Sequence, residues 1–328
     1  MYEKCLSMHK RKPEKENLQI GIVVKSTGKW YIVQFDDGET KQCTLAGRIR
    51  MDGSRSTNPV AVGDNVKVKI NDNDEYGVIA SIEPRKNGII RKATRLSSAS
   101  HVLASNIDQA FLVLTLKQPR TSAGFIDRFL VSASAFDIPV IILINKIDLL
   151  DEEELWEASK IEKLYQKIGI PVHQISVLKN IGLTIVKDLM KDKVSMISGH
   201  SGTGKSALIM ALEPHLNIRI GEISSTHNKG QHTTTFAEMH RLSFGGYIAD
   251  TPGVKEFGLS NFQMEEVAHH FPEMMNLLEN CQYYNCTHTH EPGCKVKQAV
   301  EEGDIAFSRY QSYLSIVNDN NLEQTDWS

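Results

Sequence analysis

Eight residues constrain this chain more than any others. Gly199-His200-Ser201-Gly202-Thr203-Gly204-Lys205-Ser206 fits G-x-x-x-x-G-K-[ST], a loop whose backbone N–H groups turn inward around phosphate oxygens. The motif needs a strand before it and a helix after it. Val194–Ser198 reads as a short buried strand, and Ala207 to Leu212 continues as helix. Anions are favoured at such a helix N-terminus. In this pattern Lys205 reaches the β- and γ-phosphates and the Ser206 hydroxyl binds Mg²⁺. The bland alternative is a Gly-rich strand–helix turn that binds nothing, and the correct flanks disfavour it.

A chain of 328 residues has material for two or three domains. No apolar run approaches the roughly 20 residues of a membrane span, and the polar, Lys-rich start has no apolar core of a secretory signal. Three of the five cysteines fall between 281 and 294, while Cys5 and Cys43 stand alone. That pattern favours a metal site in a reducing compartment over a disulfide framework. The expectation is a cytoplasmic monomer that does not engage a membrane. Residues 1–100 hold 18 Lys/Arg against 12 Asp/Glu, whereas the remaining 228 hold 19 against 28. A basic first module joined to an acidic remainder suggests nucleic-acid contacts at the N-terminal end.

Residues 1–17 read as a disordered tail. Five short strands follow at 18–24, 29–35, 39–45, 65–70 and 77–82, and Asn65–Ile70 alternates strictly. Asp36-Asp37-Gly38 marks a hairpin. Such a set fits a small five-stranded barrel of the OB type over residues 18–90, whose open face suits oligonucleotides. Trp30, Tyr31 and Phe35 are available to stack bases, although inward alternation accounts for two of them as core. Residues 91–105 read as a basic, Ser-containing linker. The period then changes: 110–116 and 139–145 are nearly continuous apolar runs, as in parallel strands buried on both faces. Amphipathic helices lie at 126–136, 152–168 and 183–191. Residues 106–257 are therefore expected to be an α/β domain with a mostly parallel sheet, and 258–328 a helical module ending in a helix around 305–317.

The run Asn145-Lys146-Ile147-Asp148 sits directly after a buried strand, where ligands bind in such sheets. The Asp148 carboxylate suits the ring N–H and exocyclic amine of guanine. Asn145 suits the opposite edge, and the Lys146 stem can cover the face. Adenine offers no such donor pair, so an ATPase is disfavoured. Ser176 is a second base-side candidate through its backbone. Asp250-Thr-Pro-Gly253 fits D-x-x-G, with Asp250 acting on Mg²⁺ through water and the Gly253 N–H meeting the γ-phosphate. Between these motifs, Thr233, Thr234 and Thr235 follow His232, and one of those hydroxyls can complete the Mg²⁺ shell.

Ordinary GTPases run phosphate loop, switch threonine, D-x-x-G, then N-K-x-D. Here Asn145–Asp148 and Ser176 precede the loop at 199, so the domain reads as circularly permuted. The segment after Gly253 runs straight into Cys281, Cys286, His288 and Cys294. Three thiolates and an imidazole make a closed tetrahedral set for structural Zn²⁺, with His290 a competing fourth ligand.

The barrel, the permuted motifs and the C-x4-C-x-H-x5-C tail together resemble the ribosome small-subunit-dependent GTPase A family, over about residues 18–315 and including Arg309, Tyr310 and Tyr313. The resemblance implies a bacterial factor for late maturation of the small (30S) ribosomal subunit. Such a factor hydrolyses GTP to GDP, is stimulated by the subunit, leaves on hydrolysis and contacts rRNA through the barrel and zinc modules. It carries guanine reading to Asn145, Lys146, Ile147 and Asp148, and phosphate binding to Gly199 through Ala207. Lys205, Thr234 and Thr235 fall in the catalytic set. Ras-type enzymes place a water-orienting Gln after the D-x-x-G glycine, but Val254 stands there and cannot polarise water. The family's His beside the switch threonines corresponds to His232, which makes it the catalytic candidate. The competing reading is an RNA-binding protein that uses GTP as a sensor with negligible turnover.

Overall fold

The computed structural model describes residues 18–47, 59–70, 74–91, 101–216, 237–250 and 264–325. The expected tail over 1–17, most of the expected linker and the switch stretch with His232, Thr233, Thr234, Thr235 and Gly253 lie outside them.

Strands β1 (Leu18–Ser26), β2 (Tyr31–Phe35), β3 (Thr40–Leu45), β4 (Asn65–Lys69) and β5 (Gly77–Ile82) run in the order β1-β2-β3-β5-β4, and β4 pairs back on β1. That closure makes the expected OB barrel. Alternation decides its core. Tyr31, Val33 and Phe35 point inward from β2, opposite Val66, Val68, Cys43 and Ile79. Two of the three candidate stacking aromatics are thus core, while Trp30 packs on the exposed Tyr76, ring centroids 4.9 Å apart.

The stretch read as a linker requires correction. Gly88–Arg91 (β6) and His101–Ser105 (β7) pair antiparallel as a separate two-stranded sheet. The basic residue Arg85 before it is no solvated linker charge either. It forms a double ion pair with the wholly buried Asp64 at 2.6 and 2.7 Å, and Ser105 Oγ donates to the same carboxylate at 2.6 Å. A buried carboxylate needs such partners. Here they fasten the barrel's β4 entry to the strand leading into the next domain.

The second domain continues the sheet in the order β10-β9-β8-β11-β13-β12. Strands β8 (Gln109–Leu114), β9 (Val140–Ile144), β10 (Val172–Gln174), β11 (Val194–Ser198) and β13 (Tyr247–Asp250) are parallel. Glu238–Arg241 (β12) is antiparallel to β13 and meets β1 through one residue pair, Lys25 and Glu238, which also form a 3.0 Å ion pair. All of β8 and β9 is buried, as continuous apolar runs require when helices cover both faces. On one face α1 (Ala123–Ser134) and α2 (Glu152–Lys167) pack through Ile126, Phe129, Ala158 and Tyr165. On the other, α3 (Leu183–Met190) and α4 (Lys205–Leu212) pack through Val186, Met190, Leu208 and Ile209.

The C-terminal module holds α5 (Met264–Val267), α6 (Pro272–Met275), α7 (Lys295–Glu301) and α8 (Phe307–Thr325). Its core of Phe271, Met274, Val296, Tyr313 and Ile316 also takes in Val131 of α1. Between the two domains lies Arg309, 1% exposed, with Nη1 2.5 Å from Asp127 of α1 and Nε 2.7 Å from Glu273 of α6. Its guanidinium lies over the Phe271 ring at 4.6 Å.

Candidate nucleotide site and metal centre

The phosphate loop leaves β11 at the carboxyl edge of the sheet, between β8 and β13. Two of its glycines are dictated by close approach. At Gly199 (φ +142°) an added Cβ would lie 2.1 Å from the Val113 carbonyl oxygen of β8. At Gly204 (φ +95°) it would lie 2.4 Å from Asn145 Nδ2. No larger residue fits either place without moving the neighbouring strand or the base reader. Gly204 is also the N-cap of α4 and makes no side-chain cap bond, so first-turn N–H groups are presented to a ligand. Thr203 is buried and donates from Oγ1 to the His200 carbonyl at 3.0 Å. Ser201 and Ala207 are exposed, and Gly202 and Ser206 lie at the loop's outer and helix ends. Lys205 Nζ donates to the carbonyls of Gly199 and His200 at 2.8 and 2.6 Å. The His200 ring stacks on Phe125 with centroids 3.7 Å apart, and burial lowers its pKa.

Asn145, 2% exposed, reaches across from the end of β9. Its Nδ2 donates to the Thr203 carbonyl at 2.8 Å, and its Oδ1 accepts the Val177 N–H at 3.2 Å. The residue read from sequence as a base-edge contact therefore ties the phosphate loop to the Ser176 loop. Lys146 is left-handed (φ 64°) and donates from Nζ to the Gln118 carbonyl at 2.6 Å. Ile147 and Asp148 open the following 3-10 turn, and Asp148 Oδ1 accepts the Ser176 hydroxyl. Ser176 uses both its backbone and its side chain within the site. Its N–H donates to Ile181 O at 3.1 Å, and its side chain orients the Asp148 carboxylate.

Asp250 ends β13, beside the strand that delivers the loop, and burial raises its pKa. The sequence reading missed the segment after β8. Gln118, joined to Pro119 by a cis peptide bond, and Phe125 both touch the site. The only signal was a Gln-Pro pair past the carboxyl end of a buried strand.

In the C-terminal module the ligand atoms of Cys281, Cys286, His288 and Cys294 all lie within 4.8 Å of one another. His288 Nδ1 is 3.6 Å from Cys281 Sγ and 3.4 Å from Cys294 Sγ. Ligands about 2.0–2.3 Å from a tetrahedral Zn²⁺ stand roughly 3.5 Å apart, so the cage fits. The competing His290 instead meets Thr289 through Nδ1. Supports surround the cage. Tyr310 and Tyr313 donate to the carbonyls of His288 and Thr287 at 2.7 and 2.6 Å, and the Lys295 and Lys297 N–H groups point at Cys281 and Cys294. Burial raises the thiol pKa values of Cys286 and Cys294.

Two family models match the chain: the RsgA GTPase over residues 82–260 and the RsgA N-terminal domain over residues 20–79. The chain is 50% identical to the small ribosomal subunit biogenesis GTPase RsgA of Bacteroides fragilis over 299 residues, covering 91% of this chain and 96% of that protein. The corresponding protein of Christiangramia forsetii is 49% identical over 90% and 95%. Among solved structures, YjeQ from Thermotoga maritima superposes with a TM-score of 0.78 at 33% identity, covering 92% of this chain and 98% of that one. YloQ, described as a circularly permuted GTPase, superposes at 0.75 and 27% identity, covering 95% and 98%.

Proposed function

Because the chain belongs to the RsgA GTPase family, we propose that it hydrolyses GTP as an assembly factor of the small ribosomal subunit, with the subunit as its activator. The observation that carries this reading is the junction at the sheet edge. There Asn145 joins the phosphate loop to the Ser176 loop, and Ser176 sets the carboxylate of Asp148.

In this reading Asp148 accepts the two guanine donors, while the Lys146 stem lies along the base. Lys205 leaves the carbonyls of Gly199 and His200 for the β- and γ-phosphates, which meet the first-turn N–H groups of α4. Ser206, and Asp250 through water, would hold Mg²⁺, which when bound would supply charge neutralisation on the transferred phosphoryl group. Thr234 or Thr235 would complete its shell, and His232 would orient the attacking water when the subunit is bound. On this assignment one residue predicts both slow turnover of the free protein and stimulation by its partner. The cysteine–histidine cage holds one structural Zn²⁺. The barrel and this module contact rRNA, which the +6 balance of residues 1–100 supports. Among the described residues no helix is long and apolar enough to cross a membrane, and we place the protein, as a monomer, in the cytoplasm with the ribosome.

GTP turnover measured with and without purified small subunits tests the proposal. Stimulation of about 100-fold or more, the lower end of what one positioned catalytic group contributes, is expected. GTP binding with no stimulation would leave a nucleotide sensor instead.

A further inference from the structure

Helix α1 touches both chemical centres of the molecule. Near its start the Phe125 ring stacks on His200 of the phosphate loop, planes 29° apart. Two residues on, Asp127 turns away from that loop into the interface with the C-terminal module. It meets Arg309 Nη1 at 2.5 Å and accepts the Tyr165 hydroxyl at 2.7 Å. One turn later on the same face, Val131 joins the metal module's core. A 12-residue helix is about 18 Å long and moves as a rigid piece.

The loop end of this helix is sensitive to occupancy. Lys205 holds the His200 carbonyl, and a phosphate ligand draws that ammonium to itself. The backbone beneath the stacked ring then loses a charged donor. Two residues along, the response is stiff, because Arg309 is clasped by Asp127 and Glu273 together. Bonds of this kind in a buried setting hold one geometry.

We propose that α1 is a lever coupling occupancy of the phosphate loop to the seating of the metal module, with Phe125–His200 as its input and Asp127–Arg309 as its output. The proposal rests on the nucleotide reading of Gly199–Ser206. It differs from transmission through the D-x-x-G segment, which answers to a γ-phosphate. The Lys205–His200 contact answers to any nucleotide with a β-phosphate, so GDP suffices.

Amide hydrogen exchange of α8 in the full-length, zinc-loaded chain tests it, with and without saturating GDP. In the wild type GDP slows exchange around Arg309 and Ile316 about fivefold, the lower end of ordinary coupling. Phe125→Ala removes that response at GDP concentrations that saturate the variant by calorimetry, whatever its affinity, and Phe125→Tyr restores it. Should Phe125→Ala loosen α1 itself, exchange in α1 reports it, and Phe125→Leu, which keeps apolar volume without a ring, replaces it. An α8 indifferent to GDP in the wild type, or an undiminished response in the ring-less variant, overturns the lever. Failure of the wild type to bind GDP would instead defeat the nucleotide reading.

Discussion

Asn145 Nδ2 sits 2.8 Å from the carbonyl oxygen of Thr203, 58 positions along the chain. That bond makes Asn145 a structural member of the phosphate loop. Replacing Asn145 with Ala leaves the Thr203 carbonyl and the Val177 N–H without their partner. An unsatisfied buried group costs about 1–3 kcal/mol, so GDP affinity should fall about tenfold or more, and calorimetry will show it. Asp148→Asn should behave differently: it leaves this tie intact and shifts preference from GTP towards XTP in competition binding.

Gly204→Ala probes the same contact from the other side. The new Cβ meets Asn145 Nδ2 at 2.4 Å in a left-handed backbone. Clash and strain together should cost about 1–3 kcal/mol and weaken nucleotide binding by about 5- to 150-fold. Circular dichroism and bound zinc should remain those of the wild type, because among the described residues the new Cβ meets atoms of Asn145 alone. Loss of zinc in this variant would contradict that expectation.

Metal binding should depend steeply on pH. Burial raises the thiols of Cys286 and Cys294 above the ordinary cysteine value, so at neutral pH each keeps its proton until metal displaces it. Protons therefore compete with Zn²⁺, and affinity rises with pH. The two buried thiols contribute a slope of about two in log affinity per pH unit, and Cys294→Ser lowers the slope by about one. Competition with a chromophoric chelator between pH 6 and 8 measures both slopes.

Arg309→Met should destabilise the chain by about 3–5 kcal/mol, because two buried carboxylates lose their cation. Asp127 Oδ2 already has no hydrogen-bond partner among the described residues. Neutralising the whole cluster, Asp127→Leu with Glu273→Met and Arg309→Met, should recover most of that loss, since an apolar replacement needs no counter-charge. Urea unfolding of both variants decides it.

What could be read from sequence was what has period or spacing. The barrel strands alternate, β8 and β9 are apolar throughout, and the phosphate and metal motifs are local. The misses share a cause, which is that a partner distant in sequence decides them. Glu238–Arg241 carries one inward apolar residue, Met239, so no periodicity marks β12. Arg85 carries no local signal of its partner, because Asp64 lies 21 residues upstream. Ser176 carries no local signal of the bond its N–H makes to Ile181. Arg309 resembles any helical surface arginine until two carboxylates from other helices enclose it.

The place of Val131 in the interior of the metal module bears on how the protein can be dissected. A fragment ending at β13 would carry α1 with Val131 facing water and Asp127 stripped of its guanidinium. A fragment beginning at α5 would lack one wall of its own core. Neither piece is a self-sufficient folding unit, so the chain should melt as one body from α1 to α8, and excision should yield aggregation-prone halves instead of two working modules.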